Sequence, residues 1–340
     1  MKGFIVGLGK MGRMHFHAMA ASGIDVLLGF DSAEEMAQSF AAETGVSALS
    51  IGHLEAEVVR YAPEFVSVAT TTPSRYGVIK SLLKHEAIKF VFVEKPFSSS
   101  LAQMSDIILE SSRRQKTLAI NHQMMFLPHY VRIRDLIAGG EMGELVSMSV
   151  SGANFGLANK VSHYFEAFRY LTGSRIARVS ALLDGENIGS HRGAEFRDFS
   201  GRVTAWNAGE QVLFVDFSAK NRIGIFVTYN FEFGKVFVDE IKGRAFSARM
   251  SAGLDKTLHI PYPAQQDLEE LTFEPSGIEV GTTRVVRAVL RGEEFPGMET
   301  IQNSMEAMVA SVYSSRQNGN VVSLTREALS GMWDEEFAWS

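Results

Sequence analysis

Residues 4–12, Phe-Ile-Val-Gly-Leu-Gly-Lys-Met-Gly, constrain this chain more than any other stretch. Three apolar residues run into Gly7, Gly9 and Gly12, and a helical pattern follows. The spacing predicts a strand, a tight turn and a helix start. Gly7 permits the turn, Gly9 leaves room for a pyrophosphate against the backbone, and Gly12 lets helix and strand pack closely. Lys10 and Met11 lie between these glycines, where the unpaired N–H groups of a helix N-terminus would meet the anion. The motif carries weight only if the following chain alternates strand and helix.

It does so through residue 120. Residues 25–30 read as a second strand ending at Asp31, 19 positions beyond Gly12. A carboxylate there can accept hydrogen bonds from ribose hydroxyls and would repel a 2′-phosphate. No Lys or Arg occurs between Asp31 and Thr44. NAD is therefore expected over NADP. Residues 32–35, Ser-Ala-Glu-Glu, read as a capping box opening a helix that stops before Gly45. Apolar strands at 65–69, 89–93 and 117–120 alternate with helices reaching Lys84 and spanning 100–114. Runs this apolar are buried on both faces, so a parallel, doubly wound sheet is expected. Ligands in such sheets sit beyond the carboxyl ends of the strands. Gly7 to Gly12, Asp31, Thr70, Thr71, Thr72, Pro73, Glu94, Lys95 and Pro96 all fall there.

The pattern changes after Asn121. A helix at 128–138 and a strand from 145 precede a helix at 159–171. Strands follow at 176–183, 203–206, 212–217, 224–229, 235–241 and 245–250, with turns at 207–209 and 233–234 suited to hairpins. Helices return at 283–290 and 299–317. The expected architecture is α/β: a doubly wound domain over 1–121, then an α+β domain over 122–340 with an open, mostly antiparallel sheet. At 340 residues, two domains are the natural division. Cysteine is absent, which removes disulfides, thiolate nucleophiles and Cys-based metal sites. A net charge of −6 argues against a nucleic-acid partner. The chain enters its first strand at once and contains no apolar run of about 20 residues, so a cytoplasmic protein without a membrane segment is expected.

With these pieces placed, the chain resembles the glucose–fructose oxidoreductase / inositol dehydrogenase / rhizopine catabolism oxidoreductase family over nearly its whole length. The resemblance rests on residues 7–12, Asp31, Thr72 and Pro73, Glu94-Lys95-Pro96, Asn121, Pro128 with residues 136–143, His163 on a helix ending at Gly173, and the closing 304–322. It implies a Rossmann domain followed by a substrate domain that oligomerises through its sheet, as a homodimer or homotetramer. It also implies hydride exchange between a nicotinamide and a hydroxyl-bearing carbon of a sugar, polyol or sugar derivative. Asn121 joins the expected cofactor contacts.

Alcohol oxidation needs a group to stabilise the developing alkoxide and a base to take the proton. Lys95, a cation at a strand end, suits the first role. For the second, the family places its catalytic histidine at the position of His163. A helical wheel sets Val161, Tyr164, Phe165, Phe168 and Leu171 on an apolar stripe, with Asn159, His163, Glu166 and Tyr170 on a face that would ordinarily be solvated. On this reading Asn159, Tyr164, Glu166 and His122 contact the substrate.

Inositol dehydrogenase-like members carry an aspartate at the position of Asn159, and asparagine cannot raise the pKa of His163. Glu166 is the expected substitute as negative neighbour. Gly77 stands where many members have histidine. His122 and His129 flank the domain junction, and His15 lies near the glycine loop. His191 with Arg192 reads as a polar loop, with a contact to a substrate phosphate or carboxylate as the alternative. No grouping has metal-ligand spacing, and the family reaction needs no metal. Two further functions remain open: a redox-assisted lyase or glycosidase that recycles its NAD, and a non-catalytic dinucleotide-binding protein.

Overall fold

A computed structural model describes residues 1–184, 188–189, 196–250, 266–273 and 277–339. Its first part alternates as expected: β1 (Lys2–Val6), α1 (Lys10–Ala21), β2 (Asp25–Asp31), α2 (Glu34–Thr44), β3 (Ala48–Ser50), α3 (Leu54–Tyr61), β4 (Phe65–Val68), α4 (Thr72–Leu83), β5 (Phe90–Val93), α5 (Leu101–Arg113) and β6 (Thr117–Ile120). The strands pair in parallel in the order β3-β2-β1-β4-β5-β6. Phe4, Val6, Val66, Val68 and Val93 are fully buried in this sheet. Each such side chain contributes roughly 1.5–3 kcal/mol by leaving water. The chain order reverses between β1 and β4, so the loops after them diverge and leave a crevice at their carboxyl ends.

Ser32 does not open α2. Its N-cap is Ala33, with no side-chain cap bond, and the carboxylate of Asp31 accepts the Ala33 N–H instead. The short β3 and α3 were not legible in the residue pattern, being a three-residue strand and an eight-residue helix.

The second part opens with α6 (Pro128–Gly139), β7 (Leu145–Ser151), α7 (Ser162–Thr172) and β8 (Ile176–Leu183). A two-stranded ribbon, β9 (Ile188–Gly189) and β10 (Arg197–Asp198), interrupts the series. It continues with β11 (Gly201–Asn207), β12 (Val212–Asp216), β13 (Phe226–Phe231), β14 (Gly234–Asp239), β15 (Arg244–Met250), β16 (Gln266–Thr272), α8 (Ile278–Arg291), α9 (Met298–Arg316) and β17 (Val322–Ser323). The larger sheet runs β16-β15-β14-β13-β7-β12-β11-β8-β17 among the described residues, antiparallel except where β7 pairs with β12. The expected strand 224–229 lies two residues later, because β13 continues to Phe231, which pairs with Gly234. The turn is therefore 232–233.

Helices α7 and α9 pack together, and α9 lies against β8. On the sheet's other surface, the register sets Phe214, Ser149, Thr228, Phe237 and Phe246 in one row. Phe214, Phe237 and Phe246 are exposed there. Helix α8 does not stay with its neighbours in sequence. It returns to α1, where Val285, Val286 and Val289 join Ile5 and Met19 in one apolar cluster. No helix among the described residues is long and apolar enough to cross a membrane.

Candidate active site

The three glycines divide their work as the spacing predicts. Gly7 has a φ of 91°, and a Cβ there would lie 2.6 Å from Ala69 C and Thr70 N. A Cβ on Gly12 would lie 1.9 Å from the Gly7 carbonyl oxygen. At Gly9 an added Cβ meets nothing within 4 Å. Two glycines thus serve chain packing, and the middle one faces open space. Helix α1 starts there with no side-chain cap and no acidic residue in its first turn. Its N–H groups and dipole suit an anion.

Asp31 sits at the end of β2, where its two carboxylate oxygens accept the N–H groups of Leu8 (2.7 Å) and Ala33 (2.9 Å). The carboxylate is fixed beside the glycine loop and keeps lone pairs for further donors. A cation lies nearby although none occurs between residues 31 and 44. Arg13 of α1 reaches α2, donating to Glu43 (2.7 Å) and Ser39 (2.8 Å). It sits outside that window because α1 and α2 meet only in the fold.

A polar network lies beneath the crevice. Glu94, at the end of β5, pairs with His15 Nε2 at 2.8 Å and accepts from Asn121 Nδ2 at 2.6 Å. His15 Nδ1 faces Ser67 Oγ at 2.6 Å. Burial pushes the Glu94 carboxyl up, but His15, Asn121 and Lys95 outweigh it and hold the group down at about 2. A carboxylate acceptor puts the His15 proton on Nε2. Arg75 of α4 is buried and donates to the carbonyls of Thr70, Glu94 and Pro96, tying two strand-end loops together. An arginine in a helix pattern reads as a surface residue, and nothing local in the sequence marks this one.

Thr70 Oγ1 and Asn121 Oδ1 are buried with no hydrogen-bond partner among the described residues. Such atoms cost about 1–3 kcal/mol unless a ligand satisfies them. Together with the open space at Gly9, they fit a dinucleotide lying across the strand ends.

Of these parts Gly9, Thr70, Arg75 and Glu94 border a cleft of about 490 Å³, whereas Asp31, Asn121, His122 and His163 do not line it. Of the residues expected at the site, Gly9, Lys10, Met11, Thr70, Thr71, Glu94, Lys95 and Asn159 line it. Ala69, Arg75 and Ile278 line it as well and were not anticipated. Thr72 and Pro73 open α4 beside the cleft without lining it.

Lys95 is buried, and its ammonium donates to the carbonyl oxygen (2.6 Å) and the Oδ1 (3.1 Å) of Asn159. Asn159 lies in a single wide turn, Leu157–Val161, that precedes α7. The expected helix start at 159 is thus three residues early. The cause is Asp198, whose carboxylate accepts the N–H groups of Ala158 and Asn159, each at 2.9 Å. Gly156, at φ 76°, admits that carboxylate: a Cβ there would lie 2.1 Å from Asp198 Oδ2.

The polar face of α7 is not solvated. His163, Glu166 and Tyr170 are all buried, because α9 covers one side and the segment after β6 the other. His163 Nδ1 lies 3.2 Å from His122 Nδ1, with the rings nearly perpendicular. Burial drives the pKa of His163 well below the usual histidine value, and His122, Lys95 and Lys160 push the same way. Burial and Lys95 bring His122 down to about 3. Both rings are neutral near pH 7.

Glu166 does not act as the negative neighbour of His163. It receives two hydrogen bonds from Arg169 (2.7 and 3.0 Å) and one from Thr300 (3.2 Å). Tyr164 donates to Glu240 at 2.7 Å, as does Tyr130 at 2.5 Å. Lys160 and His129 approach the same carboxylate at 3.3 and 3.5 Å. Tyr164 and His129 therefore belong to a buried cluster centred on Glu240. His191 and Arg192 lie outside the described residues. No metal-binding group of His, Asp and Glu occurs among the described residues.

Comparison with known proteins adds four points. Residues 1–122 match the family model described as an oxidoreductase family with an NAD-binding Rossmann fold. The myo-inositol dehydrogenase Hyg17 of Streptomyces leeuwenhoekii is 28% identical over 218 residues, covering 59% of this chain and 64% of that protein. The galactose/lactose metabolism regulatory protein GAL80 of Kluyveromyces lactis is 22% identical over 147 residues, covering 35% and 32%. The aligned stretches thus span from a third to just under two thirds of these curated relatives. An inositol dehydrogenase homolog from Azotobacter vinelandii, complexed with NADH and myo-inositol, superposes with a TM-score of 0.77 over 95% of this chain and 97% of that one, at 14% identity. That likeness is one of fold. Residues 1–122 thus match an oxidoreductase family with an NAD-binding Rossmann fold, and the likeness over the rest of the chain is one of fold.

Proposed function

We propose that this protein is an NAD-dependent dehydrogenase acting on a hydroxyl-bearing carbon of a sugar, polyol or sugar derivative. The observation that carries this reading is Lys95, whose ammonium is held 2.6 Å from the Asn159 carbonyl in the same cleft that the glycine loop opens. NAD, when bound, takes the hydride from the substrate carbon. The chain supplies the rest. Lys95 donates to the substrate oxygen and stabilises the negative charge that grows on it. His163, neutral near pH 7, takes the hydroxyl proton. Asn159 holds Lys95 and offers its amide to a second hydroxyl. Asp198 fixes the turn that carries Asn159.

Gly9, Thr70 and Asn121 are assigned to the cofactor, with Asp31 on the adenosine ribose. Arg13 is engaged by Glu43 and Ser39, which supports NAD over NADP. Residues 1–121 form the cofactor domain on this reading, and 122–340 the substrate domain, with α8 returning to the first. The exposed side chains of Phe214, Phe237 and Phe246 on one face of the large sheet support self-association through it, because large apolar side chains left in water favour burial.

The test is purified protein with NAD screened against sugars and polyols at 340 nm. Net NADH formation is expected. Turnover without net NADH would replace this reading with the redox-assisted lyase or glycosidase. Tighter binding of NADP than of NAD would overturn the assignment of Asp31.

A second reading is favoured by one comparison. The stretch shared with the GAL80 regulator and the carboxamide at position 159 support a non-catalytic dinucleotide sensor. NAD binding without turnover of any compound would select it.

A further inference from the structure

We propose that His122 is the positioning partner of His163, holding a proton on Nδ1 of His163 so that Nε2 is the atom that exchanges a proton with substrate. The inference rests on the reading of His163 as the acid/base group.

The two Nδ1 atoms are 3.2 Å apart, which requires one N–H between two nitrogens. Two neutral arrangements satisfy this. In one, His163 carries the Nδ1 proton and leaves Nε2 as a lone pair; in the other, His122 carries it and His163 is protonated on Nε2. Only the first makes His163 a base at Nε2. Then the substrate O–H bond breaks, an Nε2–H bond forms on His163, and the new imidazolium is stabilised through its Nδ1–H bond to His122.

A base is normally oriented by a third group that fixes its tautomer. Here that group is an imidazole rather than a carboxylate. Asn159 is engaged with Lys95, and Glu166 with Arg169 and Thr300, so neither orients His163. The charged and titratable groups facing the pair are Lys95 and Glu94 from the strand end, and Lys160 and Arg169 from α7 and its preceding turn. Lys160 adds to Lys95 on the His163 side, whereas Glu94 partly offsets Lys95 on the His122 side.

The experiment is long-range ¹H–¹⁵N NMR on histidine-labelled full-length protein, with the His163 signals assigned from His163→Gln. The expected wild-type result is the Nδ1–H tautomer at His163. In His122→Phe, which cannot accept a hydrogen bond, that tautomer is lost and kcat falls about 100-fold. In His122→Asn, whose amide oxygen can accept, the tautomer returns together with part of the lost turnover. An Nε2–H tautomer at His163 in the wild type would overturn the proposal. So would an unchanged His163 spectrum in a folded His122→Phe protein. The spectra need no substrate, so the pair is judged separately from the dehydrogenase reading, which fails if wild-type protein forms no net NADH with any compound.

Discussion

The two ends of the cleft are built differently. The cofactor end is made of backbone: glycines that a Cβ would jam, a helix start without a cap, and carbonyls gathered by Arg75. The proposed substrate end, with the buried groups behind it, is made of side chains that meet across long stretches of sequence. His122 meets His163 across 41 residues, Lys95 meets Asn159 across 64, and Tyr130 meets Glu240 across 110. Backbone cradles of the first kind are specified locally and tolerate one ligand shape. Side-chain constellations of the second kind can be retuned by single substitutions, so one cofactor platform can serve many reactions.

The contrast can be broken most forcefully at Lys95. Lys95→Ala is expected to lower kcat by about a thousandfold while NAD affinity changes by less than about threefold. Titration with NAD beside steady-state turnover checks this, and near-normal turnover would remove Lys95 from the chemistry.

Two glycine substitutions test the cofactor end. Gly12→Ala forces a Cβ onto the Gly7 carbonyl, so NAD binding is lost and the thermal midpoint drops by about 10 °C. Gly9→Ala sits in open space at φ −66°, so stability holds within about 2 °C while NAD binds about tenfold more weakly. Equal melting losses in the two variants would refute the division of labour between them.

At the proposed substrate end, Asn159→Asp places a negative charge beside Lys95, four residues before His163. The acid limb of kcat/KM is expected to move up by about one pH unit, because a nearby anion favours imidazolium. A pH profile with an unmoved acid limb would show that position 159 does not sense the pair.

The smallest effect is on stability. His122 is held at about 3, against 6.5 in the unfolded chain, and His163 is also lowered. Between those values the unfolded chain binds more protons than the fold, so stability falls as pH drops below about 6.5. Urea midpoints at pH 7 and pH 5 should show the loss, and His122→Asn should reduce it.

The same contrast explains what could be read from the residues. The parallel sheet, the crowding at Gly7 and Gly12 and the strand-end placement of Asp31 and Lys95 were legible, because each depends on spacing within one strand–turn–helix unit. Arg75, Ile278 and Asp198 were not, because each reaches the site through tertiary packing. The wheel separated the faces of α7 correctly but called one of them solvated. Periodicity identifies which residues share a face, not what covers it, and α9 arrives over a hundred residues later. For Glu166 the tertiary part is Thr300 of α9, which donates to a carboxylate already paired with Arg169.

The return of α8 to α1 also bears on how the protein is made. Synthesis is vectorial, and the strands of the first sheet leave the ribosome well before Val285, Val286 and Val289, which complete the cluster around Ile5 and Met19. While the intervening residues are translated, the nascent first domain carries an apolar gap on the surface of α1. That gap closes only when α8 emerges and docks on α1.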